Sequence, residues 1–143
     1  MKLYYAPGAC SLAAHIALQE SGLRYQRARV DLRDHEVDGV DFYAINPKGY
    51  VPVLELDDGE RPTEAAVVLQ YIPDLNPGTL APAFGTIERY RLMEWLNFIA
   101  TEIHKGLGPL WKPTTPDAYK AEGCLKTRRH LSLHVDGRRA LPL

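Results

Sequence analysis

The first 75 residues switch repeatedly between period-two and helical patterning, and this alternation confines the chain to an α/β layer more tightly than any other feature. Lys2-Leu3-Tyr4-Tyr5 is a short β-prone run closed by Pro7-Gly8. Ser11 to Gly22 turns helical: Leu12 and Ile16 share a face, and Gly22 is a natural stop. Tyr25 to Leu32 predicts a second strand with Ala28, Val30 and Leu32 on one side. The charged stretch Arg33 to Asp41 predicts a loop and a short helix ending before Asn46-Pro47.

A third strand is predicted over Val51 to Leu56. Its second residue, Pro52, cannot donate to a ladder and so belongs at a strand start or an edge. Asp57-Asp58-Gly59 signals a hairpin into a very short fourth strand at Glu60 to Pro62. Thr63 can cap a helix running to about Leu75, with Val67, Tyr71 and Leu75 on one face. The order β-α-β-α-β-β-α implies a small mixed sheet whose exposed face needs a partner layer.

Beyond this layer the pattern becomes helical. Pro77, Gly78, Pro82 and Gly85 mark a linker, placing the expected domain boundaries at 1–77, 78–85 and 86–143. Thr86 to Lys105 predicts a long helix, on which Leu92, Leu96, Ile99, Ile103 and Leu107 form an apolar stripe. Gly106, Gly108 and Pro109 end it, and Thr115-Pro116 offers another start with proline at the first helical position. From about Ala121 the character changes. Residues 120–143 hold six basic residues (Lys120, Lys126, Arg128, Arg129, Arg138, Arg139) against Glu122 and Asp136, formally +4, which leaves −5 for residues 1–119. Leu125, His130, Leu131, Leu133 and Val135 give only a broken periodicity.

With 17 basic and 18 acidic residues nearly cancelling, charge gives no reason to expect a nucleic-acid or membrane partner. No apolar run approaches the roughly 20 residues of a membrane span, and no signal peptide follows Met1. Cys10 and Cys124 are too few for a disulfide scaffold, so the expectation is a cytoplasmic protein with reduced thiols.

Several residues can carry chemistry, each beside a plainer reading. Cys10 precedes the first helix, where unpaired N–H groups and the positive dipole end favour a thiolate; a lone cysteine is also often a small core residue. Without a second cysteine at the usual spacing, a two-thiol relay is disfavoured. Ser11 is a hydroxyl donor at the same terminus, or an ordinary cap. A cis Val51-Pro52 bond would turn backbone N–H and C=O groups toward an extended peptide; the alternative is an edge-strand proline. Glu64, at the start of the third helix, either complements its dipole or holds the charged end of an amino-acid moiety. Asn97, Thr101, His104 and Lys105 follow one face of the long helix, as a site or as a solvated face. His15 reads as structural, and Cys10, His15 and His104 lack metal-ligand spacing, so no metal is expected.

Five blocks in this order resemble the glutathione transferases of the bacterial beta class: Met1 to Tyr5 with Pro7-Gly8-Ala9-Cys10-Ser11-Leu12; Asn46-Pro47-Lys48-Gly49; Val51-Pro52; Thr63-Glu64; and Glu94-Trp95-Leu96-Asn97 leading to Glu102-Ile103-His104-Lys105-Gly106. The resemblance covers residues 1 to about 120. It implies an α/β thioredoxin-like N-terminal domain followed by an all-α domain, incomplete here, in a homodimer if folded. It further implies glutathione as co-substrate, no other cofactor, and a small hydrophobic electrophile as the second substrate. Cys10 would contact the glutathione sulfur, with Ser11 and His104 completing the catalytic set. Val51 would pair with the cysteinyl part before a cis Pro52, and Glu64 would hold the γ-glutamyl end beside Ala65. Tyr5, Asn97, Thr101 and Lys105 would complete the glutathione-binding set.

Three departures stand out. Ala65 replaces a serine common in the family, Pro62 and Pro73 fall at expected strand and helix positions, and the last residues do not follow the family pattern. Pro73 predicts a break near the end of the third helix, costing up to about 3 kcal/mol if interior. The change from about Ala121 predicts a truncated or frameshifted C-terminal domain, which would leave the Leu92–Leu107 stripe short of packing partners. The activity expected is conjugation of glutathione to electrophiles. The alternatives are a glutathione-dependent thiol reductase acting through a Cys10 mixed disulfide, a glutathione-binding protein without turnover, and a remnant that does not fold stably.

Overall fold

A computed structural model describes residues 1–135, which fall into two compact units, Met1–Arg89 and Tyr90 onward. The first is built on three strands: β1 (Lys2–Tyr5), β2 (Gln26–Arg29) and, after the hairpin strands β3 (Glu36–Val37) and β4 (Val40–Asp41), β5 (Val53–Glu55). The sheet order is β2-β1-β5. Strand β1 runs parallel to β2, with Tyr4 opposite Ala28, and antiparallel to β5, with Leu3 opposite Leu54. Two helices belong to this unit, α1 (Ser11–Ser21) and α2 (Ala65–Leu75).

Alternation along β1 sorts the core into two layers. Leu3 faces Ala14 and Leu18 of α1 and Val68 and Ile72 of α2, together with Leu54. Tyr4 and Ala6 face the other way, onto Ala28, Val30, Val37, Phe42, Val51 and Val53. Tyr4 also donates to Glu55 (3.1 Å), and Arg61 donates to the same carboxylate (2.8 Å) with Lys2 3.5 Å away. Burial pushes the Tyr4 hydroxyl up, and the Glu55 charge adds to it. Burial also pushes Glu55 up, but hydrogen bonds from Arg61 and Tyr4 and the charges of Lys2 and Arg61 outweigh it. The Glu55 carboxyl therefore lies below its usual range.

The expected elements recur with corrections. Gly22 does close α1, at φ 69°. Leu12 and Ile16 share a face of α1, but it is the exposed one; Ser11, Ala14, Leu18 and Ser21 are buried instead. The second strand is shorter than Tyr25–Leu32, and Leu32 is exposed. The charged stretch forms the β3–β4 hairpin and is followed by a 3-10 turn at Phe42–Ala44. No separate strand forms at Glu60–Pro62. The segment nevertheless pairs with β5, through Leu54 N–H to Pro62 C=O (3.0 Å) and Leu56 N–H to Glu60 C=O (2.8 Å), which uses the proline only as acceptor.

Thr63 does not cap α2; Glu64 occupies the cap position, and Thr63 bridges to Val53. The buried face of α2 is Val68, Ile72 and Pro73, whereas Val67 and Leu75 are exposed. Pro73 does not break the helix, because it lies in the last turn, where few residues follow it. Beyond the Pro/Gly segment, Arg89 is buried and anchors residues 82–89 to the end of α2. Its guanidinium donates to Asp74 (2.8 Å), the Gln70 carbonyl (3.2 Å) and the Pro82 carbonyl (3.4 Å).

The second unit continues α3 (Ile87–Phe98) into a π-helical segment (Ile99–His104) and a single turn, α4 (Lys105–Leu107). The expected single long helix is thus interrupted, and the wider winding shifts the residues after Ile99 off the 3.6-residue stripe. Ile99 is exposed, and Leu92, Leu96, Ile103 and Leu107 are half-buried. After a 3-10 turn at Gly108–Trp111, α5 (Asp117–Val135) begins one residue beyond Pro116 and runs unbroken through Ala121 despite the broken periodicity. Close approach of α4 and α5 is permitted at Gly123, where a Cβ would lie 3.2 Å from the Gly106 carbonyl. Asp136, Arg138, Arg139 and the rest of the expected atypical tail to Leu143 lie outside the described residues.

Candidate functional site

The N-terminus of α1, the loop before β5 and the N-terminus of α2 gather chemistry in the first unit. Cys10 is the cap residue of α1, half-buried, and its Sγ donates to the Val51 carbonyl at 3.3 Å. Val51-Pro52 is cis, and both residues are buried. The loop that delivers them is tied down by Asn46, itself buried. Its Nδ2 donates to the Tyr50 carbonyl (2.7 Å), its Oδ1 accepts from the Lys48 N–H (3.2 Å), and its carbonyl accepts from Gly49 N–H (2.8 Å). Gly49 is required there: its φ is 68°, and a Cβ would come within 2.6 Å of the Tyr43 ring.

Glu64 holds the backbone at φ 67° and ψ 119°, a conformation that costs a non-glycine residue about 1–3 kcal/mol. Such strain persists only where its surroundings enforce it. The Glu64 carbonyl accepts from both Val67 and Val68 N–H (3.0 Å each), and Lys48 Nζ donates to Glu64 Oε1 (3.1 Å) and Thr63 Oγ1 (3.2 Å). The exposed Glu64 carboxylate therefore stands beside the first turn of an 11-residue helix that begins at Ala65, whose leading N–H groups favour a negative charge. A carboxylate beside free helical N–H groups suits both ends of an amino-acid zwitterion.

Ser11 requires correction as a catalytic donor. It is fully buried, and its hydroxyl donates to the Ala6 carbonyl (3.2 Å) while accepting from Ala6 N–H (3.1 Å). Nor is it the cap residue, which is Cys10; it is the first residue of α1, locking the turn after β1. Tyr5 is half-buried on the α1 side, its ring 6.1 Å from His15 and beneath Arg27 at 6.0 Å. His15 sits between Tyr5 and Tyr25, as a structural ring.

Asn97, Thr101, His104 and Lys105 belong to the second unit. All four are exposed, and Thr101 Oγ1 donates to the Asn97 carbonyl at 3.1 Å. Among the described residues no group of three His, Cys, Asp or Glu side chains is arranged to hold a metal ion. Lys48 and Arg89 are the residues that sequence reading passed over. Lys48 lies in a quoted motif, but its partners are 15 and 16 residues away and nothing local announces them.

The family model for the N-terminal domain of glutathione S-transferases matches residues 8–75. The chain is 45% identical to a sphingomonad glutathione S-transferase solved in complex with glutathione, with a TM-score of 0.91, covering 96% of this chain and 71% of that one. This chain belongs to the glutathione S-transferase family. A bacterial beta-class member from Sphingomonas chungbukensis is 44% identical at TM-score 0.90, over 98% of this chain and 71% of that one. Glutathione S-transferase GstA of Escherichia coli O157:H7 is 52% identical over 123 residues, 84% of this chain and 61% of that protein. The glutathione transferase fold thus joins the thioredoxin-like sheet to the helical second unit. The chain spans about three fifths of the length of the curated relatives it matches first.

Proposed function

We propose that this chain binds glutathione at the α1–loop–α2 site and conjugates its thiolate to small apolar electrophiles. The observation that carries the reading is the convergence of the Cys10 thiol on the Val51 carbonyl of the cis-proline loop, 3.3 Å away, within the unit that presents Glu64. Glutathione is an extended peptide. Backbone pairing at Val51, before Pro52, would align its cysteinyl part as an added strand, and Glu64 with the N–H groups from Ala65 onward would take the γ-glutamyl zwitterion.

In this reading Cys10 Sγ turns from the Val51 carbonyl to the glutathione sulfur and, with the dipole of α1, favours the thiolate. The thiolate forms a C–S bond to the electrophile, and the electron pair leaves with a leaving group or enters the electrophile's π system. Positioning, rather than proton transfer, supplies most of the acceleration. The family resemblance assigns His104 to the sulfur, and Tyr5, Asn97, Thr101 and Lys105 to glutathione binding. Ser11 acts only by shaping the turn that carries Cys10. The chain is further proposed to act in the cytoplasm as a homodimer in detoxification, with glutathione as co-substrate and no other cofactor. Its two thiols and the lack, among the described residues, of a helix able to cross a membrane support that setting.

Calorimetric titration with glutathione, beside a melting curve and a conjugation assay with an activated aryl halide, tests this. Saturable binding and turnover are expected. A cooperatively melting chain that binds no glutathione would overturn the reading.

A further inference from the structure

Glu64 is strained, exposed and nevertheless held, and the side chain that reaches it comes from the other half of the site. Lys48 leaves the Asn46–Tyr50 loop, whose geometry is fixed by Asn46 and by the Gly49–Tyr43 contact, and ends on Thr63 Oγ1 and Glu64 Oε1. Thr63 is itself fixed to the sheet by its bridge to Val53. One ammonium thus ties the loop that presents Val51 and Pro52 to the residue that opens α2. Its bond to Oε1 leaves Oε2 as the oxygen on which an incoming ammonium can be received.

We propose that Lys48 is a positioning residue for substrate recognition. It fixes the direction of the Glu64 carboxylate, and so sets the distance between the peptide-pairing edge at Val51 and the zwitterion-binding end at Glu64. This inference rests on the reading of the site as a glutathione site. It names a residue that acts through Glu64 and needs no contact with the ligand. Both partners are exposed, so the effect is that of one well-placed surface ion pair.

The test is a double-mutant cycle on glutathione affinity, measured by calorimetry on the full chain with Lys48→Met, Glu64→Gln and the pair. Lys48→Met is expected to weaken glutathione about fivefold. Lys48→Arg should restore most of the loss, and Lys48→Met should add little once Glu64 is Gln. An equal loss in the Glu64→Gln background, or no loss at all, overturns the proposal. If the parent chain binds no glutathione, the reading of the site fails by itself. Lys48 is then judged on the backbone amide resonances of Glu64 and Ala65: shifts on Lys48→Met and recovery in Lys48→Arg support the tether, and unchanged resonances refute it.

Discussion

Replacing Arg89 by alanine should destabilise the first unit far more than a change at the edge of a linker ordinarily would. The Arg89 side chain is 2% exposed, whereas its partner Asp74 is 46% exposed. The charge-assisted bond to Asp74 is worth about 1.5–3 kcal/mol, and each bond to the Gln70 and Pro82 carbonyls about 0.5–1.5 kcal/mol. Asp74 regains water when the arginine is removed, which offsets part of the loss. A net cost of about 3 kcal/mol follows, with the vacated stem volume included. Asp74→Asn keeps an acceptor facing the guanidinium and should cost only about 1 kcal/mol. Urea unfolding followed by circular dichroism measures both; at typical slopes, Arg89→Ala should lower the midpoint by about 1–2 M. A loss below about 1 kcal/mol, or an Asp74→Asn variant as unstable as Arg89→Ala, would refute the assignment of the guanidinium as the anchor of residues 82–89.

Three further outcomes are expected. Glu64→Gly should raise stability by about 1 kcal/mol, because glycine accepts φ 67° without strain, while weakening glutathione at least tenfold; melting curves and calorimetry must move in opposite directions. Cys10→Ala should abolish any thiol-reductase activity, because no mixed disulfide can form, but leave measurable conjugation; complete loss of conjugation as well would show that the thiolate cannot be generated without Cys10. The Glu55 carboxyl is held below its ordinary value, so its contribution is present above the unfolded-state pKa and is lost as pH falls through the folded one. Glu55→Gln should flatten the acid limb of a stability–pH curve below about pH 4.5, and an unchanged limb would remove Glu55 from the account.

The elements whose signals are local were legible in the sequence. Lys2–Tyr5 is a β-prone run closed by Pro7-Gly8, Gly22 supplies a left-handed stop, and Pro52 stands at a strand start. The side of each helix that would be buried was harder to read. Leu12 with Ile16, and Val67 with Leu75, are stripes of the right period on exposed faces, while smaller or neighbouring residues such as Ala14 and Val68 fill the sheet-facing space. Hydrophobic period locates a helix and leaves open which layer covers it. The π-helical winding at Ile99–His104 also has no signature in apolar spacing. Cys10, Val51, Pro52 and Glu64 were singled out as candidates by their places at element ends, and those places are where the structure puts them. Ser11 was misjudged because its short distance to Ala6 depends on the turn at Pro7-Gly8. Lys48 and Arg89 were missed because their partners come from loops and helices distant in the chain.

Among the described residues, the strand order β2-β1-β5 leaves the outer side of β2 without a neighbouring strand, an invitation to a second copy of the chain. Arg27 and Arg29 stand exposed along that strand, and Gln26 between them and the preceding loop adds no apolar surface. A like strand approaching this edge would bring arginines against arginines. The same two charges that contribute nothing to the packed core thus guard the molecule against edge-to-edge assembly. Replacing both with valine would convert this sheet border into a template for aggregation, and would also remove the contact of Arg27 with the Tyr5 ring.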